Sequence, residues 1–306
     1  MLSFSTGHGG RLVDRYRALI RQYGRNKRLA AMDFESVAES RRAFERHVRR
    51  PLERARVLDL GCGQRFPAAL LFHSWRAEAT GIDTDVVDPA FSPASFVRMI
   101  RANGFERFVK SLARHLVFDP EYYRELRRLA GRELRFKSLD LRLMDARSLA
   151  FPDGHFDLVH SNAVFEHLSD VPRVLEEVAR VLKPDGIASI GVHLFASLSG
   201  GHHLEWAFPE DAPSRRVPPW DHLREAKFGS HAYLNKWSER QFVDAFRARF
   251  AIVEHASRNE GESYLTRDIE RELKDYTREE LLKREIRVVL RKTTPPPSSR
   301  TPRGAS

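Results

Sequence analysis

The chain has 306 residues, of which 42% are hydrophobic, a composition that fits a soluble protein large enough to bury a complete α/β core. No apolar run approaches the roughly 18 residues of a membrane span, and we expect no signal peptide because the first ten residues lack an apolar core. The single cysteine, Cys62, excludes an intrachain disulfide, so we expect a cytoplasmic protein.

The net charge of +10 is concentrated at the two ends of the chain. Residues 1–50 carry +7 and residues 291–306 carry +4, which leaves the body between them close to neutral. Nucleic-acid binding through phosphates needs a continuous basic surface. We therefore expect no nucleic-acid partner.

The basic N-terminal segment has the pattern of an amphipathic helix. Apolar residues recur at helical spacing over residues 12–23 with arginines between them, and a second helix is predicted from about residue 33 to 49. We interpret this N-terminal segment, residues 1–31, as a lid across the mouth of a binding site. The alternative is peripheral attachment to an anionic membrane surface, which the same pattern suits.

The clearest motif is an apolar run over residues 57–60 that contains Asp59 and continues into Gly61 and Gly63. It predicts a buried parallel strand and a tight turn, where glycines let a ligand approach backbone N–H groups. About 20 residues later a second strand ends at Asp83, the spacing that places a carboxylate against a ribose. No third glycine follows the turn, so a pyrophosphate would be poorly held. The motif therefore predicts a nucleotide-type site.

With Asp59, Gly61, Gly63 and Asp83, the sequence resembles the class I S-adenosylmethionine-dependent methyltransferases, whose first motif is Asp-x-Gly-x-Gly. The resemblance covers roughly residues 55–195, through the further segments 144–146, 151–159, 166–168 and 182–186. Arg65 is a departure, because many members carry a third glycine there.

The resemblance implies the cofactor S-adenosyl-L-methionine and a division of labour within its site. Asp59, Gly61 and Gly63 would hold the methionine part and Asp83 the ribose hydroxyls. Contacts to the adenine would come from Asp145 and Ala146. Ser161, at the end of the fourth predicted strand, is added to the cofactor-binding set.

The predicted fold is α/β, a Rossmann-like doubly wound sheet of seven strands, mostly parallel with an antiparallel last strand, and with helical insertions. The strands are predicted at residues 57–60, 79–83, 139–143, 156–160, 187–193, 250–255 and 286–290. Residues 1–50 form the N-terminal basic segment, and residues 51–292 form the methyltransferase domain. Insertions are expected at about 86–138 and 197–237, and a disordered tail at 293–306.

The remaining helices follow from periodicity and caps. They are predicted at residues 105–116, from Asp119–Pro120 onward, from about 169 to a stop at 183–186, at 239–249 and within 266–283. The insertion at 86–138 has two interpretations, a lid over substrate or simple packing against the body.

The irregular segment 197–237 is the predicted acceptor site. Trp206, Trp220 and His222 are its candidate substrate-binding residues, because aromatic rings with polar tips suit a sugar or another ring. Packing of the loop against the body explains them as well. The histidine spacing matches no common zinc pattern, so no metal is predicted.

Methyl transfer from a sulfonium is an in-line displacement, in which the protein supplies alignment and a route for the acceptor's proton. His193 and His167 follow strand ends and are the candidate bases. The acceptor is expected to be a small molecule, preferably a hydroxyl oxygen on a saccharide-like or other ring-containing metabolite. The alternatives are an NAD(P)-type oxidoreductase and a non-catalytic S-adenosylmethionine-binding protein.

Overall fold

The computed structural model describes residues 25–85, 119–210, 214–228 and 233–293. Seven strands form one sheet: β1 (Arg56–Leu60), β2 (Glu78–Asp83), β3 (Asp140–Leu143), β4 (Phe156–Asn162), β5 (Leu182–His193), β6 (Phe250–Asn259) and β7 (Lys283–Lys292). The α-helices are α1 (Asn26–Val48), α2 (Pro67–Ser74), α3 (Asp119–Ala130), α4 (Val171–Val181), α5 (Glu239–Arg247), α6 (Arg267–Glu272) and α7 (Arg278–Leu282).

The strand order is β3-β2-β1-β4-β5-β7-β6. Neighbouring strands from β3 to β5 pair in parallel, and β7 lies antiparallel to both β5 and β6. The predicted seven-stranded, mostly parallel sheet with an antiparallel last strand is confirmed. The chain reverses its direction across the sheet between β1 and β4, and ligands of open α/β sheets bind at the carboxyl ends of the strands beside such a point.

Helices cover both faces of the sheet because the central strands are apolar on both sides. On one face α4 inserts Val174, Leu175 and Val178 into a core shared with Phe242 and Phe246 of α5. The opposite face is covered by α1, α2 and α3, and their apolar residues form a second core with β1 and β2. Asp170 caps α4 by accepting a hydrogen bond from the N–H of Arg173 at 3.0 Å, with proline in the first turn as predicted.

Three predicted boundaries differ from the structure. α1 begins at Asn26 rather than near residue 33. The predicted stop at 183–186 is a bulge inside β5, since β4 residues Phe156 and Leu158 pair with Leu182 and Ile187. The predicted charged helical excursion is two short helices, α6 and α7, each capped by a threonine.

Several predictions fall on residues that the structure does not describe. They are the amphipathic helix at 12–23, the helix at 105–116 and nearly all of the tail from residue 293. The second half of the 86–138 insertion is described, and there Tyr122 and Leu126 of α3 are fully buried in the core beside α1. Core packing therefore explains this helix. Within the described ranges, no helix has the length and apolar character needed to cross a bilayer.

Candidate active site

The glycine turn after β1 has the conformation that its sequence requires. Gly61 has φ +77° and Gly63 has φ +64°, in the left-handed region that glycine adopts without strain. The N–H groups of Gly61 and Cys62 both donate to the carbonyl of Ile82 at 2.9 Å, which ties the turn to β2. The backbone around Gly63 is open, because a Cβ built there meets nothing within 4 Å.

Asp83 lies at the carboxyl end of β2, next to this turn. Its Oδ2 accepts a hydrogen bond from the N–H of Gly63 at 2.9 Å, and its Oδ1 accepts one from the N–H of Asp85 at the same distance. Two backbone donors thus fix the orientation of the carboxylate. Each oxygen keeps a further lone pair with which it can accept from a ligand hydroxyl.

Two buried carboxyl groups lie on the other side of the turn. Asp59 Oδ2 accepts from the N–H of Ala69 at 2.9 Å, which joins β1 to α2. Burial, with a smaller contribution from the nearby charges of Asp83 and Asp33, raises the pKa of Asp59 to about 7, although the Ala69 hydrogen bond lowers it. Burial also raises the pKa of Asp33, whose Oδ2 accepts a hydrogen bond from the hydroxyl of Tyr122. Both carboxyls would ionise more readily beside a cationic ligand.

The raised pKa of Asp59 predicts a pH-dependent stability. The unfolded chain releases this proton near pH 4 and the folded chain near pH 7, so the folded state binds more protons between these values and stability falls as pH rises through that window. Asp59→Asn lacks this titration. The free energy of unfolding of the variant should therefore fall less steeply with pH than that of the wild type, by up to about 1.4 kcal/mol per pH unit.

Urea denaturation of the unliganded protein at several pH values between 4 and 8 measures this effect. The matched control is Asp185→Asn, which removes an exposed carboxylate outside the groove. Parallel stability curves for wild type and Asp59→Asn would contradict the assignment.

At the end of β3, Asp145 and Ala146 face the same groove from the far side of β2. Asp145 is held by Arg147, whose backbone N–H donates to Oδ1 at 2.8 Å and whose guanidinium donates to both oxygens. These hydrogen bonds lower the pKa of Asp145, so this carboxylate is ionised. Ala146 is 9% exposed and offers an apolar surface.

Two adjoining cavities lie over the strand ends. One, of about 440 Å³, is lined by Asp83, Met144, Asp145, Ala146 and His167, among others. The second, of about 400 Å³, is lined by Asp33, Asp59, Cys62, Arg65 and His160, among others. Both share Gly61, Gly63 and Ala163, so they form one groove across the glycine turn. Carboxylates are found along its whole length.

A family model described as a methyltransferase domain matches residues 28–251, most of the chain. The chain belongs to this methyltransferase family. Members of the family are class I enzymes that depend on S-adenosylmethionine, as the resemblance in the first motif indicated.

Two curated relatives match over short segments. The rat mitochondrial protein named arginine-hydroxylase NDUFAF5 is 47% identical over 45 residues, which are 15% of this chain and 13% of that protein. The uncharacterized methyltransferase YcgJ of Bacillus subtilis is 51% identical over 41 residues, 13% of this chain and 16% of that protein. The matched segments thus span less than a fifth of either relative.

Among solved structures, the 1,6-didemethyltoxoflavin-N1-methyltransferase of Burkholderia thailandensis, with bound 1,6-didemethyltoxoflavin and S-adenosylhomocysteine, is 16% identical. The alignment covers 96% of this chain and 93% of that one, with a TM-score of 0.45.

The methyltransferase groove also contains residues that the sequence did not single out. Four residues of α1 line the second cavity, so this helix covers part of the groove: Leu29, Asp33, Ser36 and Val37. No local motif marks them, because only the packing of α1 on the sheet brings them there. The predicted lid at residues 1–31 remains a prediction, since residues 1–24 lie outside the described ranges.

Arg65 joins the glycine turn to both flanking helices. Its Nε donates to Asp119 Oδ1 at 2.7 Å, and its Nη2 donates to Asn26 Oδ1 at 3.1 Å. The guanidinium lies 4.3 Å from the ring centre of Tyr122. The residue that replaces the expected third glycine thus connects the turn to α1 and α3.

The end of β4 differs from the prediction for Ser161. This residue is fully buried, and its hydroxyl donates to the carbonyl of Leu60 at 3.0 Å, so it links β4 to β1 inside the sheet. It is absent from the lining of both cavities, whereas Asn162 and Ala163 line the groove. The prediction rests on the position of Ser161 at the carboxyl end of the strand, but strand alternation directs its side chain away from the groove.

His193 is an unsuitable base for the methyltransferase. The hydroxyl of Ser199 donates to Glu260 Oε1 at 2.6 Å, so its interaction with His193 Nε2 at 2.9 Å requires the histidine to donate. Nε2 therefore carries a proton, and burial lowers the pKa of His193. The residue lines neither cavity, so its role is structural in this conformation.

His167, the second candidate, does line the groove, in the cavity that also contains Asp145 and Ala146. Its Nδ1 lies 2.8 Å from the carbonyl oxygen of Tyr233. A carbonyl only accepts, so Nδ1 carries the proton and Nε2 of the neutral ring keeps its lone pair. The side chain is therefore oriented, and one nitrogen remains available to a ligand.

The predicted acceptor residues are buried in the methyltransferase instead of lining a site. Trp220 is fully buried and Trp206 is 3% exposed, and their indole N–H groups donate to the carbonyls of Ala196 and Val217 at 3.1 Å. Both rings pack with Leu198, Leu265 and Leu281 in a third core. They present no face to a substrate, so the predicted stacking role is wrong for this conformation.

His222 is also part of this packing. Its Nε2 lies 2.8 Å from the carbonyl oxygen of Phe195, and burial lowers its pKa to about 4. The described residues of segment 197–237 thus pack against the region of α6 and α7, which agrees with the alternative interpretation of the sequence.

Proposed function

We propose that this protein binds S-adenosylmethionine in the groove over β1, β2 and β4 and transfers its methyl group to a hydroxyl oxygen of a small-molecule acceptor. The observation that carries the proposal is the groove with carboxylates at matched positions: Asp83 beside the glycine turn, Asp145 on one side and Asp59 with Asp33 on the other. S-adenosylmethionine has a ribose diol, an adenine and an α-ammonium group that suit these positions in that order.

Asp83 is the best-oriented of these groups. Its two oxygens are already fixed by backbone N–H donors, so accepting two ribose hydroxyls costs no further side-chain ordering. At the other end, the charge of an ammonium group would offset the burial that raises the pKa of Asp59 and of Asp33.

The acceptor is proposed to approach from the His167 side of the groove. Three histidine rings meet there, since the centroid of His202 lies 4.8 Å from those of both His167 and His193. Of these groups His167 lines the groove, and the lone pair on its Nε2 can accept a hydrogen bond from an acceptor hydroxyl. The earlier preference for a ring stacked on tryptophan has no support, because both rings are buried.

Calorimetric titration with S-adenosylmethionine tests cofactor binding. Asp83→Ala should weaken the affinity for S-adenosylmethionine by about tenfold to a hundredfold. The variant loses charge-assisted hydrogen bonds that contribute about 1.5–3 kcal/mol. The control is Asp140→Ala, which removes a carboxylate from the opposite end of β3. Equal affinity in wild type and Asp83→Ala would remove Asp83 from the site.

Two further measurements distinguish the alternative functions. An oxidoreductase would bind a nicotinamide dinucleotide in the same titration in preference to S-adenosylmethionine. A non-catalytic binder would take S-adenosylmethionine but release no S-adenosylhomocysteine across a panel of hydroxylated acceptors. Release with one acceptor class supports the proposed transfer.

A further inference from the structure

A second set of ligand-type atoms lies beside the groove. Glu166 and His167 form a single turn after β4, and His202 comes from the loop after β5. Their side-chain oxygen and nitrogen atoms all lie within 4.8 Å of one another. His202 reaches this place with φ +53°, a left-handed backbone that non-glycine residues adopt at a cost, and such strain is concentrated at functional sites.

The polar atoms at the centre of this cluster have no side-chain partner. Both carboxylate oxygens of Glu166 and Nε2 of His202 are buried and make no hydrogen bond of good geometry within the described ranges, and only the backbone N–H groups of Glu166 and His193 stabilise the carboxylate there. Glu166 is 3% exposed, and no lysine or arginine of the described chain pairs with it. Leaving such groups unsatisfied costs several kcal/mol, and native structures rarely do so.

The distances indicate a missing central group. His202 Nε2 and Glu166 Oε1 are 4.0 Å apart, which is too far for a direct hydrogen bond. The distance is close to the separation of two ligand atoms that bind the same ion. His167 is prepared in the manner of metal-binding histidines, which donate one ring N–H to a carbonyl and ligate with the other nitrogen.

We propose that Glu166, His167 and His202 bind one divalent transition-metal cation of the Zn²⁺ type. Two imidazole nitrogens and one carboxylate are a common donor set for such ions, and three protein ligands leave a coordination position open. Metal–ligand distances of about 2.0–2.2 Å would bring the ligand atoms to roughly 3.0–3.5 Å of one another. Binding would therefore require the side chains to move together from their present spacing, in which the atoms lie within 4.8 Å of one another.

This assignment changes the role of His167. A metal-bound Nε2 has no lone pair left for a proton, so His167 is a ligand and no longer the candidate base. Because His167 also lines the groove, the open coordination position would face the acceptor side. That last consequence rests on the proposed function, whereas metal binding itself does not.

The test uses the full chain after removal of metal by a chelator. Zn²⁺ is titrated in competition with a chromophoric chelator, and Co²⁺ is added separately to record its visible absorption bands. We expect one equivalent of Zn²⁺ and a Co²⁺ spectrum of nitrogen and oxygen coordination. Glu166→Gln and His202→Gln should each lower the affinity at least about tenfold.

The matched control is His255→Gln. His255 Nε2 lies 3.1 Å from a glutamate oxygen on an exposed surface and forms a Glu–His pair without a third ligand in the described chain. Its replacement should leave the affinity for Zn²⁺ unchanged.

Far-UV circular dichroism checks the folding of each variant, and the wild-type Co²⁺ spectrum remains decisive if a variant unfolds. Absence of stoichiometric binding, or equal binding in all variants, overturns the proposal. No cofactor or acceptor is present, so failure here would leave S-adenosylmethionine binding untouched.

Discussion

Gly61→Ala should lower the free energy of unfolding by about 2–4 kcal/mol and weaken S-adenosylmethionine binding at least tenfold. Two effects add. The position has φ +77°, which costs an alanine roughly 1–2 kcal/mol. A Cβ there would lie 2.4 Å from Cγ2 of Val164, and this β-branched side chain has few rotamers with which to move away.

Gly131→Ala is the control that separates these effects. Gly131 has φ +62°, but a Cβ there meets no atom within 4 Å, and the residue follows α3 outside the groove. It should lose about 1–2 kcal/mol of stability with unchanged cofactor affinity. Urea denaturation and calorimetry of both variants give the comparison. Equal stability losses would mean that the Val164 contact relaxes without cost.

Trp220→Ala should lower the free energy of unfolding by about 3–5 kcal/mol while the folded protein keeps its cofactor affinity within twofold. The ring is fully buried in the third core, so its removal leaves a large cavity. It also deprives the carbonyl of Ala196 of its indole donor at 3.1 Å. Thermal and chemical denaturation measure the loss.

Tyr233→Ala provides the matched aromatic control in the same segment. Its side chain is 59% exposed, and its contact with His167 is made by the backbone carbonyl, so the loss should stay within about 0.5 kcal/mol. A Trp220→Ala variant of normal stability with reduced affinity for a ligand would contradict the burial argument. It would return Trp220 to the binding residues predicted from the sequence.

Local patterns predicted most of the fold. The apolar runs of β1 and β2, the carboxylates at Asp59 and Asp83 and the periodicity of α4 are signals contained within ten or so residues, and they were placed to within a few residues. The predicted start of β5 is wrong. The proline and glycine within residues 183–186 indicated a stop, whereas in the structure these residues form a bulge and pairing with β4 extends the strand across it.

Side chains in the irregular segment could not be assigned in the same way. A tryptophan among prolines and histidines has the same local pattern whether its ring binds a ligand or fills a core. The outcome depended on the segment from Leu265 through α7, which lies more than 40 residues later and places Leu265 and Leu281 in the same core as Trp220. Ser161 was misassigned for a related reason, because the direction of a side chain at a strand end depends on register.

The sequence by itself determined the sheet, the methyltransferase family and the glycine turn with its two strand-end carboxylates, because these depend on backbone conformation and on short-range spacing. Only the tertiary structure showed that Leu29 and Asp33 of α1 line the groove and that His193 does not. It also showed that Glu166 lies beside His202. These groups come from segments far apart in the chain. Their distances are set by how helices and loops pack on the sheet, which no local pattern encodes.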